Sequence, residues 1–317
     1  MEVMHISYPL QDDMLLSASN LGQAIAIGDF DGVHLGHRQV IGEAVRAART
    51  EGLSSAVMTF HPHPRQVLGS AIYASCLTPL DRKLLEFERL GVERVYVVRF
   101  DDGLSKLSPS DFIQQVLLPL GVRHVVVGFN FSFGHKGAGS PQLLEELSAD
   151  AYRVTVVQPY RVEEHRISST LIRASLSAGD VGLAGTLLGR PYEITGTVVH
   201  GEGRGRTIGV PTANVKPDGA YVLPANGVYA VTVKLAGGET VNGVMNVGKK
   251  PTFHDNLPEP TCEVHLLDFD GDLYGRSLAV QFKYFIRSER KFESVDALIA
   301  QIKDDIRKAG QLLQPST

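Results

Sequence analysis

Three observations predict a two-domain chain, an α/β domain followed by a mainly β domain. From Ala24 to about Tyr160 short apolar runs alternate with stretches of helical period, the pattern of a doubly wound parallel sheet with helices on both faces. From Tyr192 the pattern changes to two-residue alternation punctuated by Gly and Pro, which predicts a β-barrel or sandwich. The length of 317 residues fits two domains at roughly 100 to 200 residues each.

In the first half the strands are expected at 24–28, 55–60, 94–100, 123–129 and 153–158, with helices at 36–51, 79–90, 109–119 and 141–148. Ser108 and Pro109 are a natural cap and first turn for the third helix. Helical residues continue through 169–188. The second half offers EITGTVV, GVYAVTVKL, ETVNGVMNV, TCEVHLL and LAVQFKYFI as strands, then a closing helix from Ser294 to about Leu312 with Val295, Leu298, Ile299 and Ile302 on one side. The change of pattern places the boundary between domains 1–187 and 188–317.

Composition narrows the function classes. With 43% hydrophobic and 21% charged residues the chain is an ordinary water-soluble globular protein. Thirty-one basic against 35 acidic residues leave a net charge of -4, which argues against a nucleic-acid or anionic-membrane partner. Cys76 and Cys262 lack metal-ligand spacing and read as reduced thiols. The first twenty residues carry Glu2, His5, Asp12 and Asp13, so neither a signal peptide nor a spanning segment is expected and the cytoplasm follows.

Chemistry concentrates first in GDFDGVHLGHR, Gly28 to Arg38, directly after the first apolar run. Its glycines allow close approach of backbone to a ligand, and His34 and His37, three apart before a helix, share one face. A helix start favours phosphate, and two imidazole donors beside it suit nucleotidyl transfer. A tight turn carrying two surface His residues is the plainer alternative. HPHPR (61–65) and GFNFSFG (128–134) each follow an expected strand and would reach the same crevice; core packing is expected for at least one of Phe129, Phe131 and Phe133. RISSTLIR (166–173) offers hydroxyls at a helix start and Arg173 beyond them, suited to a polyphosphate or equally to ordinary capping.

A second candidate is GEGRGRTIGVPTAN, Gly201 to Asn214. Thr212 and Asn214 point the same way from extended backbone, and their neutral oxygens suit a Mg²⁺ balanced by nucleotide phosphates, which the glycine loop can cover. In TCEVHLL one face is apolar, so Glu263 points away from the core; by pattern alone it is an ordinary solvated glutamate, and near a hydroxyl substrate it could serve as a general base.

These segments in this order, with TFHPHP, GVYAV, GVMNVGKKPTF, EVHLLDFDGDLYG and RSERKF, resemble the bifunctional prokaryotic riboflavin kinase/FAD synthetase family from about Gly28 to Asp305. The resemblance implies a Rossmann-like nucleotidyltransferase domain followed by a β-barrel kinase domain with a C-terminal helix. It implies that the second domain phosphorylates riboflavin to FMN with ATP and Mg²⁺, and that the first transfers AMP from ATP to FMN, giving FAD and pyrophosphate. It implies that His34 and His37 are the catalytic phosphate-stabilising pair, with Gly28, Phe30, Asp31, His63, Asn130, Arg166, Ser169, Thr170 and Arg173 at the nucleotide of that domain. In the kinase it implies Glu263 as general base, Gly203, Gly205, Arg206, Gly209, Pro211, Thr212 and Asn214 at the nucleotide, Thr212 and Asn214 also at the metal, and Arg287, Glu289 and Phe292 beside the flavin. The expected partners are therefore small molecules, with room for transient self-association. His61, Asn130 and Ser132 depart from residues common in the family. Two rival readings remain open: an active kinase whose first domain binds nucleotide without making FAD, and a flavin-sensing regulatory protein.

Overall fold

The computed structural model describes all residues except 12–21, 163, 202–204, 206–208, 251–258 and 315–317. They form two compact units, Met1–Ser168 and Ser169–Thr317.

The first unit contains β1 (Glu2–Ile6), β2 (Gln23–Ile27), α1 (Leu35–Glu51), β3 (Ser54–His61), α2 (Leu80–Arg89), β4 (Arg94–Arg99), β5 (Val122–Gly128), α3 (Pro141–Glu146) and β6 (Arg153–Val157). The six strands pair in the order β1-β4-β3-β2-β5-β6, every pair parallel. Alternation in β2 sends Ile25 and Ile27 to one face, where they meet Met58, Tyr96, Phe112, Ile113 and Leu117. Ala26 faces the other way and shares a cluster with Val57, Val95, Ile41, Val45 and Phe87. Ala24 meets Ala47 and Ala48 of α1, small residues on both sides that let helix and sheet approach closely. Each large side chain buried this way contributes roughly 1.5–3 kcal/mol, and the two clusters make the sheet doubly wound as expected.

Two elements differ from expectation. The strand β1 is an edge strand whose residues are mostly exposed, so it lacks the continuous apolar run by which the central strands are recognised. The helix expected at 109–119 is capped by Ser108 and starts at Pro109, but passes from an α-turn (Pro109–Phe112) to a π-turn (Ile113–Leu117) and a 3₁₀-turn (Leu118–Leu120). Two short strands, β7 (Arg161–Val162) and β8 (His165–Arg166), form a separate antiparallel pair.

In the second unit α4 (Ser169–Ser177) and α5 (Val181–Leu188) replace the single expected helical stretch. Gly179 adopts φ 82° and Asp180 caps the second helix by accepting from the Leu183 N–H at 2.9 Å. The helix α5 packs on the barrel strands described next, which places it in the second unit.

Strands β9 (Tyr192–Val199), β10 (Ala213–Pro217), β11 (Gly227–Leu235), β12 (Thr240–Lys250), β13 (Glu259–Leu266) and β14 (Ser277–Ser288) close a barrel in the order β10-β13-β12-β11-β14-β9, with β9 returning to β10. Val198, Val215, Tyr229, Val231, Met245, Val264, Val280 and Phe282 are buried as its core. Helix α6 (Val295–Leu312), capped by Ser294, packs on β11, β12 and β14.

Closure brings β9 very near β10 at Gly196, where a Cβ would lie 2.5 Å from the Lys216 carbonyl oxygen and 2.7 Å from Val215 Cγ1. Backbone cannot yield there without opening the barrel. Gly196→Ala is expected to destabilise the second unit by about 1–3 kcal/mol, read as a lower midpoint in thermal or urea unfolding.

Candidate active site

In a parallel sheet all carboxyl ends lie at one edge, and β2 pairs with β3 on one side and β5 on the other. The connections reverse direction between β2 and β5, the place where open α/β sheets bind ligands. The segments 28–38, 61–65 and 128–134 leave these three adjacent strands, so topology brings together what the sequence marks separately.

The turn after β2 is tightly built. Phe30 is buried at φ 57° and presents its ring edge-on to His37 with centroids 5.3 Å apart. His34 caps α1: its Nδ1 accepts the His37 N–H at 3.1 Å, and the two imidazoles stack at 3.5 Å. The His37 Nδ1 is buried and has no hydrogen-bond partner among the described residues. Burial first, then His34 and Lys83, hold this imidazole well below its ordinary pKa of 6.5, so it is a neutral ring near pH 7. A neutral imidazole still donates one N–H to a phosphate oxygen.

Asp31 has a supporting position. Its buried Oδ1 accepts the N–H groups of Leu77 (2.8 Å) and Thr78 (3.2 Å), tying the turn to the segment before α2. His63 Nδ1 accepts the Arg65 N–H at 3.0 Å, its Nε2 lies 3.3 Å from Asp29 Oδ2, and its ring sits 4.4 Å from that of Tyr73. Gly28 donates to the Met58 carbonyl at 3.1 Å. Asn130 is exposed beyond β5, and Arg166 of β8 lies 4.2 Å over the Phe129 ring. Of the three phenylalanines here Phe133 is in the core, with Phe131 packed against it. In the second unit Ser169 and Thr170 open α4, and Arg173 is buried within that helix.

The barrel gathers the second set in one lateral row. Register places Asn214 opposite Glu263, Glu263 opposite Asn246, Asn246 opposite Val228, and Val228 opposite Arg287, across β10, β13, β12, β11 and β14. Their neighbours Val264, Met245 and Tyr229 point inward, so period-2 alternation turns this row outward, towards α6. A cavity of about 370 Å³ lies there, lined by Thr212, Asn246, Glu263, Arg287, Glu289 and Phe292 with apolar side chains of α6. Thr212 also borders a second cavity of about 510 Å³, lined by Val198, Pro211 and the segment 269–274.

Glycines shape the rim. A Cβ on Gly201 would collide with the Asn214 carboxamide, and one on Gly205 with the Val210 carbonyl oxygen; Gly209 adopts φ 76°. Gly203 and Arg206 lie outside the described residues. Arg287 is locked: Nε donates to both Asp305 oxygens (3.0 and 2.9 Å), Nη2 lies 2.8 Å from Oδ2, and the guanidinium is 5.7 Å from the Phe292 centroid. Asp305 is 2% exposed and also accepts from Gln301 at 2.7 Å. Removing one member of such a pair strands the other, so Asp305→Ala is expected to cost about 3 kcal/mol in denaturant unfolding.

Asp29 lies within the GDFDGVHLGHR turn without a marked role there, and Lys83, Asn246 and Asp305 are not singled out by the sequence. Lys83 and Asp305 each carry a signal, a charge on the apolar stripe of a helix.

Comparison with known proteins follows this division of the chain. The FAD synthetase family model matches residues 16–171 and the riboflavin kinase model residues 188–313. A bifunctional riboflavin kinase/FMN adenylyltransferase of Bacillus subtilis is 44% identical over 98% of this chain and 97% of its own length. The chain belongs to the bifunctional riboflavin kinase/FMN adenylyltransferase family. Proteins of that name from Listeria monocytogenes and Escherichia coli K12 are each 40% identical, over 96% and 92% of this chain and 96% and 93% of their own lengths. A crystal structure from Streptococcus pneumoniae, named a macrolide-efflux protein, shares the fold with TM-score 0.87 at 31% identity, covering 98% of this chain and 99% of that one. Among the described residues no helix is long and apolar enough to cross a membrane.

Proposed function

We propose that this chain makes FMN and FAD, with the barrel unit phosphorylating riboflavin and the parallel-sheet unit adenylylating FMN. The observation that carries the kinase assignment is the lateral row in which Glu263 stands between Asn214 and Asn246 on a cavity that Thr212 shares with a second one. The cavity with Arg287, Phe292 and the α6 side chains takes the flavin, and the other takes ATP. The terminal hydroxyl oxygen of riboflavin bonds to the γ-phosphorus, its proton passes to the Glu263 carboxylate, and the bond from that phosphorus to the β-phosphate bridging oxygen breaks to release ADP.

The Thr212 hydroxyl and Asn214 carboxamide fit a Mg²⁺: both are neutral oxygen donors two residues apart, and Gly201 leaves the space that the Asn214 side chain fills. When bound, the ion would neutralise charge on the nucleotide phosphates. In the first unit a phosphate oxygen of FMN bonds to the α-phosphorus of ATP and the bond to the pyrophosphate leaving group breaks. His34 and His37 donate hydrogen bonds to the charge that develops, with the start of α1 adding its unpaired N–H groups.

Incubating the purified chain with riboflavin, ATP and Mg²⁺ and following the flavins by chromatography tests both steps. FMN followed by FAD is the expected course. FMN alone would remove the adenylyl-transfer step, and no product would remove the whole reading.

A further inference from the structure

The ammonium of Lys83 is an unusual group to find inside a domain. It projects from α2 into the first unit, where the residue is 6% exposed. Nζ donates to the main-chain carbonyl of Asp29 at 2.7 Å, lies 3.5 Å from Thr59 Oγ1, and approaches Asp29 Oδ1 only to 4.0 Å. That Oδ1 is itself buried without a hydrogen-bond partner among the described residues. The ion pair is therefore loose. A buried charge paired this poorly gains little from its partner to offset its own desolvation.

What the ammonium touches gives it a purpose. Asp29 is the second residue of the turn that carries His34 and His37, and its carbonyl accepts from Thr59 Oγ1 at 2.8 Å as well as from Lys83. Its other carboxylate oxygen reaches the His63 Nε2 at 3.3 Å and the Asp31 N–H at 3.2 Å. A few residues before Lys83 the same segment supplies the Leu77 and Thr78 N–H groups that hold Asp31. The start of α2 thus grips the turn at two points, one through each of its aspartates.

We infer that Lys83 is a positioning residue for adenylyl transfer, a buried cation that fixes Asp29 and through it the turn bearing His34 and His37 and the ring of His63. The inference rests on the reading that the first unit adenylylates FMN. Misplacing reacting groups by about 1 Å can cost about 10²-fold in rate, so the effect belongs in kcat.

The test compares wild type, Lys83→Met and Lys83→Arg, full-length, for steady-state FAD formation from FMN and ATP and for thermal unfolding. Riboflavin phosphorylation by the same samples measures the amount of active chain. Lys83→Met is expected to lose about 10²-fold in kcat with KM for FMN and ATP and Tm little changed. Lys83→Arg, which keeps a cation able to donate to the Asp29 carbonyl, is expected to recover part of the loss. Wild-type kcat in Lys83→Met would overturn the inference, as would a loss of kcat accompanied by a lowered Tm, the mark of a purely structural residue. If the wild type itself makes no FAD, the reading of the first unit fails and takes this inference with it. FAD from wild type and Lys83→Met at equal rates removes the role of Lys83 alone.

Discussion

Glu263→Gln is expected to lower riboflavin phosphorylation by about 10²–10⁴-fold, the usual worth of a general base. The amide keeps the size of the side chain but cannot take the proton of the attacking hydroxyl. Because Glu263 is held in β13 by pairing with both β10 and β12, the substitution leaves the row of neighbours in place, and the loss should appear in kcat with KM for riboflavin nearly constant. FAD formation from supplied FMN should continue at the wild-type rate, since that step is assigned to a unit with its own sheet and core clusters. A Glu263→Gln chain that phosphorylates riboflavin normally would end the assignment of the base.

His37→Ala should produce the opposite phenotype. Removing one preorganised donor to a developing oxyanion typically costs about 10²–10³-fold in kcat, so FMN should accumulate while FAD formation nearly stops. His34 has a second duty as the cap of α1, and His34→Ala should add about 1 kcal/mol of destabilisation to a similar loss of rate. The burial that lowers the His37 pKa gives a further check. A ring already neutral well below pH 6.5 does not change charge on passing through that value, so FAD formation should not show a limb there from this residue. Normal FAD formation by His37→Ala would support a first unit whose His pair is structural.

Both candidate sites were legible in outline because their residues are consecutive and chemically unusual. Glycine spacing marks the turn at 28–38, and alternation alone points Glu263 out of the barrel. Partners supplied by tertiary contact were harder to see. Lys83 lies on the stripe of Leu80, Leu84 and Phe87, and Asp305 on that of Leu298, Ile302 and Ala309. A charged residue on an apolar stripe is the sequence trace of a buried ion, but the trace does not name its partner. Asn246 was invisible for another reason: its place beside Glu263 is set by strand register, which no local pattern encodes. The edge strand β1 escaped for want of an apolar run, and the break in the helical stretch 169–188 depended on one glycine at positive φ.

The lateral row also constrains how β13 can change over time. Side chains in a strand alternate, so losing or gaining one residue between Glu259 and Leu266 would exchange the parity of every position beyond the change. A change before Glu263 would carry it into the barrel interior and an apolar neighbour out to the cavity. Length variation is therefore easier to absorb in the connections at either end of this strand than within it, whereas substitutions that preserve the count need only respect the side they face.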